Sequence, residues 1–119
     1  MKTVVLIALS LLTAAAAPAR TDVTMLAASF SPKDVVVLTG DTVRWTNNSI
    51  RVHTSTAYNG MWSSGDVQPG NYYEFTFTQT GYFTYRCLYH EAMGMVGSVR
   101  VTATAVEPAS FGRVKAIYR

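Results

Sequence analysis

The sequence predicts an all-β protein of the sandwich type. Apolar and polar residues alternate over short runs, and no stretch of ten or more residues carries the apolar stripe of an amphipathic helix. Turn-forming residues recur about every ten residues, a spacing typical of sandwiches rather than of β/α folds. Hydrophobic residues make up 49% of the chain and charged residues 14%, which is too apolar and too weakly charged for a disordered protein.

The alternation places most of the strands. We predict strands at residues 35–38, 43–46, 73–78, 82–87 and 96–102, with a short additional strand at 52–56 inside an otherwise irregular segment, 47–65. In the second of these strands, Val43 and Trp45 should point into the core because they alternate with polar neighbours. Residues 88–94 are predicted to form the loop between the last two strands.

The N-terminus has the pattern of a cleaved secretory signal. Lys2 precedes an apolar run at residues 3–12, and small residues end in Ala17-Pro18-Ala19. The run is shorter than the ~20 residues that a membrane-spanning helix needs. We therefore expect residues 1–19 to be a signal peptide, with export to the periplasm or the extracellular space and no stable membrane insertion after cleavage.

The rest of the chain divides into one domain, residues 20–102, and a C-terminal extension, residues 103–119. The extension contains Pro108 and Gly112 and is predicted to be an edge strand or a mobile tail, without an assigned role. The formal charge is +3, but the cations are scattered and no P-loop or dinucleotide-binding motif occurs. We expect a monomer that does not bind nucleic acid.

Candidate chemistry concentrates in one loop. Cys87, His90 and Met95 have the spacing C-x2-H-x4-M, and His53 lies in an earlier loop. A thiolate and a thioether suit Cu(I), while imidazole also suits Cu(II), so these four residues form a ligand set for copper. A single cysteine excludes an internal disulfide and zinc sites with two or more cysteines, although an Asp or Glu could complete a zinc site.

Two alternatives stay open at this level. Each of these residue types alone is more often structural, since a lone cysteine is commonly a small buried hydrophobe and methionine commonly fills cores. Met93 would also give a tighter C-x2-H-x2-M loop than Met95. The combination favours a metal site, because it uses the only cysteine and both histidines of a chain predicted to be exported.

With these motifs the chain resembles the cupredoxins, or type 1 blue copper proteins, and within them the plastocyanin, amicyanin and pseudoazurin branch. The resemblance spans residues 25–102 and implies a Greek-key β-sandwich that holds one copper ion, alternating between Cu(I) and Cu(II). It rests on Phe30-Ser31-Pro32, Gly40-Asp41-Thr42-Val43-Arg44-Trp45-Thr46-Asn47, Val52-His53-Thr54, Pro69-Gly70, Gly81-Tyr82-Phe83-Thr84-Tyr85 and Cys87-x2-His90-x4-Met95-Val96-Gly97.

The resemblance also implies roles for individual residues. His53, Cys87 and His90 would be near-trigonal equatorial ligands, and Met95 the weak axial ligand. Around them, the backbone amide of Thr54 would contact the thiolate. A polar side chain before the first histidine, Asn47 or Asn48, would link the two ligand loops.

The implied function is one-electron transport between redox partner proteins. By resemblance, the imidazole of His90 lies at the surface in an apolar docking patch drawn from Leu88, Tyr89 and Met93, with Met61 or Tyr58. A pI near 9.2 favours partners that present acidic groups. The alternative function is a periplasmic copper carrier or chaperone that delivers the metal. We do not expect an enzyme, because reductases and oxidases of this type need further histidine-rich copper centres.

Overall fold

A computed structural model describes residues 17–104. Most of the predicted signal peptide, residues 1–16, and residues 105–119 of the predicted extension lie outside the described residues. Eight strands and one short 3-10 helix, Glu91–Met93, make up the described fold. The strands are β1 (Arg20–Met25), β2 (Phe30–Ser31), β3 (Asp34–Leu38), β4 (Thr42–Asn47), β5 (Thr56–Ala57), β6 (Tyr72–Thr76), β7 (Gly81–Arg86) and β8 (Val96–Thr102).

The strands form two four-stranded sheets, and the predicted all-β sandwich is confirmed. One sheet has the order β2-β1-β4-β6 and the other β3-β8-β7-β5. β1 runs parallel to β4 and β3 parallel to β8, whereas the other pairs are antiparallel. Parallel neighbours require a connection that leaves the sheet and returns, which is why the chain crosses between the two layers.

Aromatic side chains fill the space between the sheets. Val43 and Trp45 are completely buried, as their alternation predicts. The Trp45 ring meets the Tyr85 ring of the opposite sheet edge-to-face, at a centroid distance of 5.3 Å, and stacks on Trp62 at 5.6 Å. Such aromatic contacts add to the stabilisation from burial and fix the spacing of the two layers.

The sequence prediction did not place the two-residue strand β2, and three further details differ from it. β1 is a full strand that the sequence analysis did not place; only Val23 and Met25 are buried in it, so its alternation is short. The strand predicted at 73–78 is Tyr72–Thr76. The short strand predicted at 52–56 is reduced to an isolated bridge between His53 and Val67, followed by β5.

The Tyr85 side chain lies directly against the backbone of Gly97 on the neighbouring strand. Gly97 is the register partner of Tyr85, and a Cβ at position 97 would lie 2.6 Å from the Tyr85 ring and 2.7 Å from the carbonyl oxygen of Lys33. Only glycine fits there. The contact lies in the strand pair that leads into the predicted ligand loop, since Cys87 follows β7 and Met95 precedes β8.

Across residues 17–104, no helix combines the length and apolar character needed to cross a membrane.

Candidate metal centre

Three of the four predicted ligands converge at one end of the sandwich. The ligand atoms of His53, Cys87 and His90 all lie within 4.8 Å of one another. Cys87 Sγ is 3.6 Å from His53 Nδ1 and 3.5 Å from His90 Nδ1. Both imidazoles therefore turn the same nitrogen toward the thiol, and the arrangement offers one sulfur and two nitrogen donors to a single ion.

Backbone hydrogen bonds close the loop that carries Cys87 and His90. The Cys87 N–H donates to the Met95 carbonyl at 3.0 Å, and the His90 N–H donates to the Cys87 carbonyl at 3.3 Å. The Met95 N–H donates to the His90 carbonyl at 3.2 Å. Gly94 ends the short 3-10 helix with a φ of 85°, a left-handed conformation that glycine adopts without strain. The loop is consequently held as a unit between β7 and β8.

The two candidate methionines, Met95 and Met93, differ in how far their side chains are exposed. Met95 is 0% exposed and belongs to the hydrophobic core cluster that also contains Cys87. Met93 is 63% exposed. A thioether that completes a buried metal site must face inward, so the structure favours Met95 over Met93.

The first of the two histidines, His53, lies on a different segment of the chain from Cys87 and His90. His53 forms a two-way backbone bridge with Val67, with N–H to carbonyl distances of 3.2 and 2.8 Å. Its side chain is fully buried. Burial is the main cause of a lowered His53 pKa, and the nearby His90 lowers it further, whereas a hydrogen bond to the Leu26 backbone acts in the opposite direction. The imidazole is therefore kept neutral, the form that binds metals.

Thr54 joins the two ligand loops. Its backbone N–H donates to Cys87 Sγ at 3.4 Å, as the resemblance predicted. Its hydroxyl oxygen accepts a hydrogen bond from the Leu88 N–H at 2.9 Å and lies 2.9 Å from the Thr56 hydroxyl. One residue thus bonds both to the predicted sulfur ligand and to the backbone of the loop that follows it.

The prediction that Asn47 or Asn48 links the two ligand loops is wrong. Asn47 Nδ2 donates to the carbonyl oxygens of Arg51 and Val67, at 2.7 and 2.8 Å, which lie on the segments flanking His53 rather than on the Cys87 loop. Asn48 is exposed. The buried Asn47 therefore organises the His53 side of the centre, and Thr54 makes the link between loops.

One further residue at the centre was missed by the sequence analysis. Ser49 Oγ lies 3.0 Å from His53 Nε2, the imidazole nitrogen that faces away from Cys87. In the sequence Ser49 is one member of a polar loop, and nothing in its spacing distinguishes it from its neighbours. Its place beside the imidazole arises from the folding of residues 47–53 around the Asn47 side chain.

His90 is the candidate ligand that reaches the surface. It is partly exposed, beside the exposed side chains of Leu88, Tyr89 and Met93. The Tyr89 hydroxyl donates to Asp66 at 2.6 Å. This hydrogen bond joins the loop that carries His90 to the segment that carries Asp66. A depression of about 450 Å³ opens here, lined by Arg51, Val52, Asp66, Tyr89 and His90.

Comparison with known proteins settles the family. Residues 17–102 match the model of the copper binding proteins of the plastocyanin/azurin family. The chain belongs to this family. Its sulfur and nitrogen donor set fits copper, since thiolate and imidazole together suit both oxidation states of that metal. Copper is the cofactor of this cupredoxin.

Solved structures show the same architecture. A purple cupredoxin from Nitrosopumilus maritimus is 25% identical with a TM-score of 0.62, and the match covers 69% of this cupredoxin and 99% of that chain. A variant of amicyanin in its reduced Cu(I) form at pH 4 is also 25% identical, with a TM-score of 0.64 and coverage of 69% and 81%.

The fold also occurs inside a larger enzyme. A copper-containing nitrite reductase from Thermus scotoductus SA-01 is 24% identical with a TM-score of 0.65, and the match covers 75% of this cupredoxin but 23% of that chain. This likeness extends to the fold alone.

Proposed function

We propose that this cupredoxin is an exported type 1 copper protein that carries single electrons between redox partners. Its ligands would be His53, Cys87 and His90, with Met95 as the weak axial ligand. The observation that supports this most strongly is the convergence of one thiol and two imidazole nitrogens within 4.8 Å. The complete burial of Met95, whose carbonyl oxygen lies 3.0 Å from the Cys87 backbone nitrogen, supports the fourth assignment.

The surroundings of the ligands suit electron transport. Bound copper would supply a one-electron couple between Cu(I) and Cu(II). His53 and Cys87 are completely buried, which keeps water away from the centre. The closed loop from Cys87 to Met95 and the Thr54 link hold the donor atoms in place, so little rearrangement is needed when the charge at the centre changes.

The surface around His90 is proposed as the docking site for partner proteins. Leu88, Tyr89 and Met93 are exposed apolar or aromatic side chains next to the only ligand that reaches solvent. Arg51 and Asp66 both line the adjacent depression. Without residues 1–19 the chain has nine Lys and Arg against seven Asp and Glu, a formal charge of +2, which favours partners with acidic groups around an apolar centre. Association should accordingly weaken as salt concentration rises.

We infer that the chain alone is not an enzyme. Among residues 17–104 one group of three or more metal-binding side chains comes together, and it uses both histidines of the sequence. A second, catalytic copper centre of the histidine-rich kind would have to draw its ligands from another chain.

Copper loading tests the proposal. Purified protein with Cu(II) should show intense thiolate-to-copper absorption toward the red end of the visible spectrum, and a Cys87→Ser control should lack it. Repeated reduction and oxidation should leave the copper bound. Absence of the band with Cys87 intact would overturn the type 1 assignment, and release of the metal to an acceptor on reduction would show copper delivery instead.

A further inference from the structure

The Asn47 side chain has a single possible orientation. Its Nδ2 lies 2.7 and 2.8 Å from the carbonyl oxygens of Arg51 and Val67, which can only accept hydrogen bonds. The amide nitrogen must therefore face these two oxygens. Its Oδ1 consequently faces Ser49, where the Ser49 N–H donates to it at 3.0 Å.

This orientation fixes the proton of the Ser49 hydroxyl. Asn47 Oδ1 is an acceptor and lies 2.8 Å from Ser49 Oγ, so the hydroxyl must donate to it. The Arg51 carbonyl is the next nearest acceptor of this proton, at 3.3 Å. The Arg51 N–H donates back to Ser49 Oγ at 3.1 Å and uses one of its two lone pairs.

One lone pair of Ser49 is left, and it meets His53. Ser49 Oγ is 3.0 Å from His53 Nε2, and since its proton is already engaged with Asn47 it can only accept there. His53 Nε2 must then carry a proton. In the neutral imidazole the other nitrogen, Nδ1, is unprotonated, and it is the nitrogen that lies 3.6 Å from Cys87 Sγ.

We propose that Ser49 is a positioning residue that fixes the tautomer of His53 and leaves Nδ1 free for the metal. This inference rests on the proposed function, in which His53 is a copper ligand. Hydrogen bonds from the far nitrogen of a ligating histidine orient the ring, and their loss typically weakens metal binding by about 10- to 100-fold. The Leu26 backbone also bonds to this imidazole, so we expect the low end of that range.

The tautomer can be measured without copper. Long-range proton–nitrogen correlation spectra of the ¹⁵N-labelled, metal-free protein distinguish the two neutral forms of a histidine ring. At pH 8 the wild-type His53 should be predominantly protonated at Nε2. Ser49→Ala should raise the fraction protonated at Nδ1 above that of wild type, although the Leu26 backbone still bonds to the ring. Ser49→Thr, which keeps the hydroxyl, should retain the wild-type pattern.

Copper affinity provides the second measurement. Competition with a chelator should show the Cu(II) dissociation constant rising about 10-fold in Ser49→Ala and staying within about 3-fold of wild type in Ser49→Thr. Asn48→Ala is the matched control, because Asn48 is exposed on the same loop, and it should change neither readout. An unchanged tautomer or an unchanged affinity in Ser49→Ala overturns the proposal.

These outcomes are distinct from failure of the proposed function. A wild-type protein without the intense visible band would reject the type 1 assignment whatever Ser49 does. The spectra of the metal-free protein would still report whether Ser49 sets the His53 tautomer. If the wild-type protein shows the band and Ser49→Ala leaves the tautomer or the affinity unchanged, the role of Ser49 is rejected and the type 1 assignment stands.

Discussion

The Thr54 backbone N–H donates a hydrogen bond to Cys87 Sγ at 3.4 Å, although the two residues are 33 positions apart in the chain. The Thr54 hydroxyl binds the N–H of Leu88, the residue after that cysteine. Two loops from different parts of the sandwich are thereby joined at the sulfur itself. A hydrogen bond to a thiolate disperses its charge, so this contact should affect the electronic properties of a copper centre as well as its stability.

Replacement of Thr54 tests the link between the loops. Thr54→Val preserves the shape and the backbone N–H but leaves the Leu88 N–H without its acceptor. We expect a loss of about 1–3 kcal/mol in the free energy of unfolding, measured by urea titration of the metal-free protein. Thr56→Val is the matched control, since it removes only the bond between the two threonines and should cost less than about 1 kcal/mol. Equal losses in both variants would contradict this role.

The two methionines should respond differently to the same substitution. Met95→Gln would place an amide oxygen, a harder donor than a thioether, at the proposed axial position, which favours Cu(II) and lowers the reduction potential. Burial of the amide should also cost about 1–3 kcal/mol of stability. Met93→Gln, on the exposed side of the loop, should alter neither property appreciably. Voltammetry and visible spectra check the pair, and a larger effect at Met93 would reverse the assignment.

Gly97 should not tolerate a side chain. In Gly97→Ala the new Cβ would lie 2.6 Å from the Tyr85 ring and 2.7 Å from the Lys33 carbonyl oxygen, so the ring and the backbone around it must move. Overpacking of this kind typically costs about 1–3 kcal/mol. The expected result is a lower denaturation midpoint together with an altered visible spectrum of the copper form, because both strands lead into the proposed ligand loop. A midpoint equal to that of wild type would show that the strands adjust without strain.

Stability of the metal-free protein should fall in mild acid. Burial lowers the pKa of His53 below its usual value near 6.5, so below that pH the unfolded chain binds a proton that the folded chain resists. The stability contributed by the neutral imidazole is complete above pH 6.5 and is lost as the pH falls toward the lowered pKa. Urea titrations between pH 7.5 and 5 should show this loss. A His53→Gln variant should show a shallower dependence, and an equally steep one would assign the loss to other groups.

The interior strands were predictable because their chemistry is local. Alternation of apolar and polar residues marks β4 and β8, since each has one buried face whatever its partner. β1 escaped prediction because only its last residues alternate clearly, and its six residues are held by pairing with β4, which lies about twenty positions later. Pairing between distant segments leaves little trace in a short run of sequence.

The candidate metal centre also has some features that the sequence predicts and others that only the folded chain decides. Spacing brought Cys87, His90 and Met95 into one loop, and the residue types favoured copper, because a short loop keeps its own members close. The family resemblance also implied Met95 rather than Met93 as the fourth ligand. The link made by Thr54 rather than Asn47 and the contact of Ser49 with His53 required the folded chain. The Thr54 link depends on a partner 34 residues away. The Ser49 contact spans four residues, but it depends on which way the two side chains face once residues 47–53 have folded.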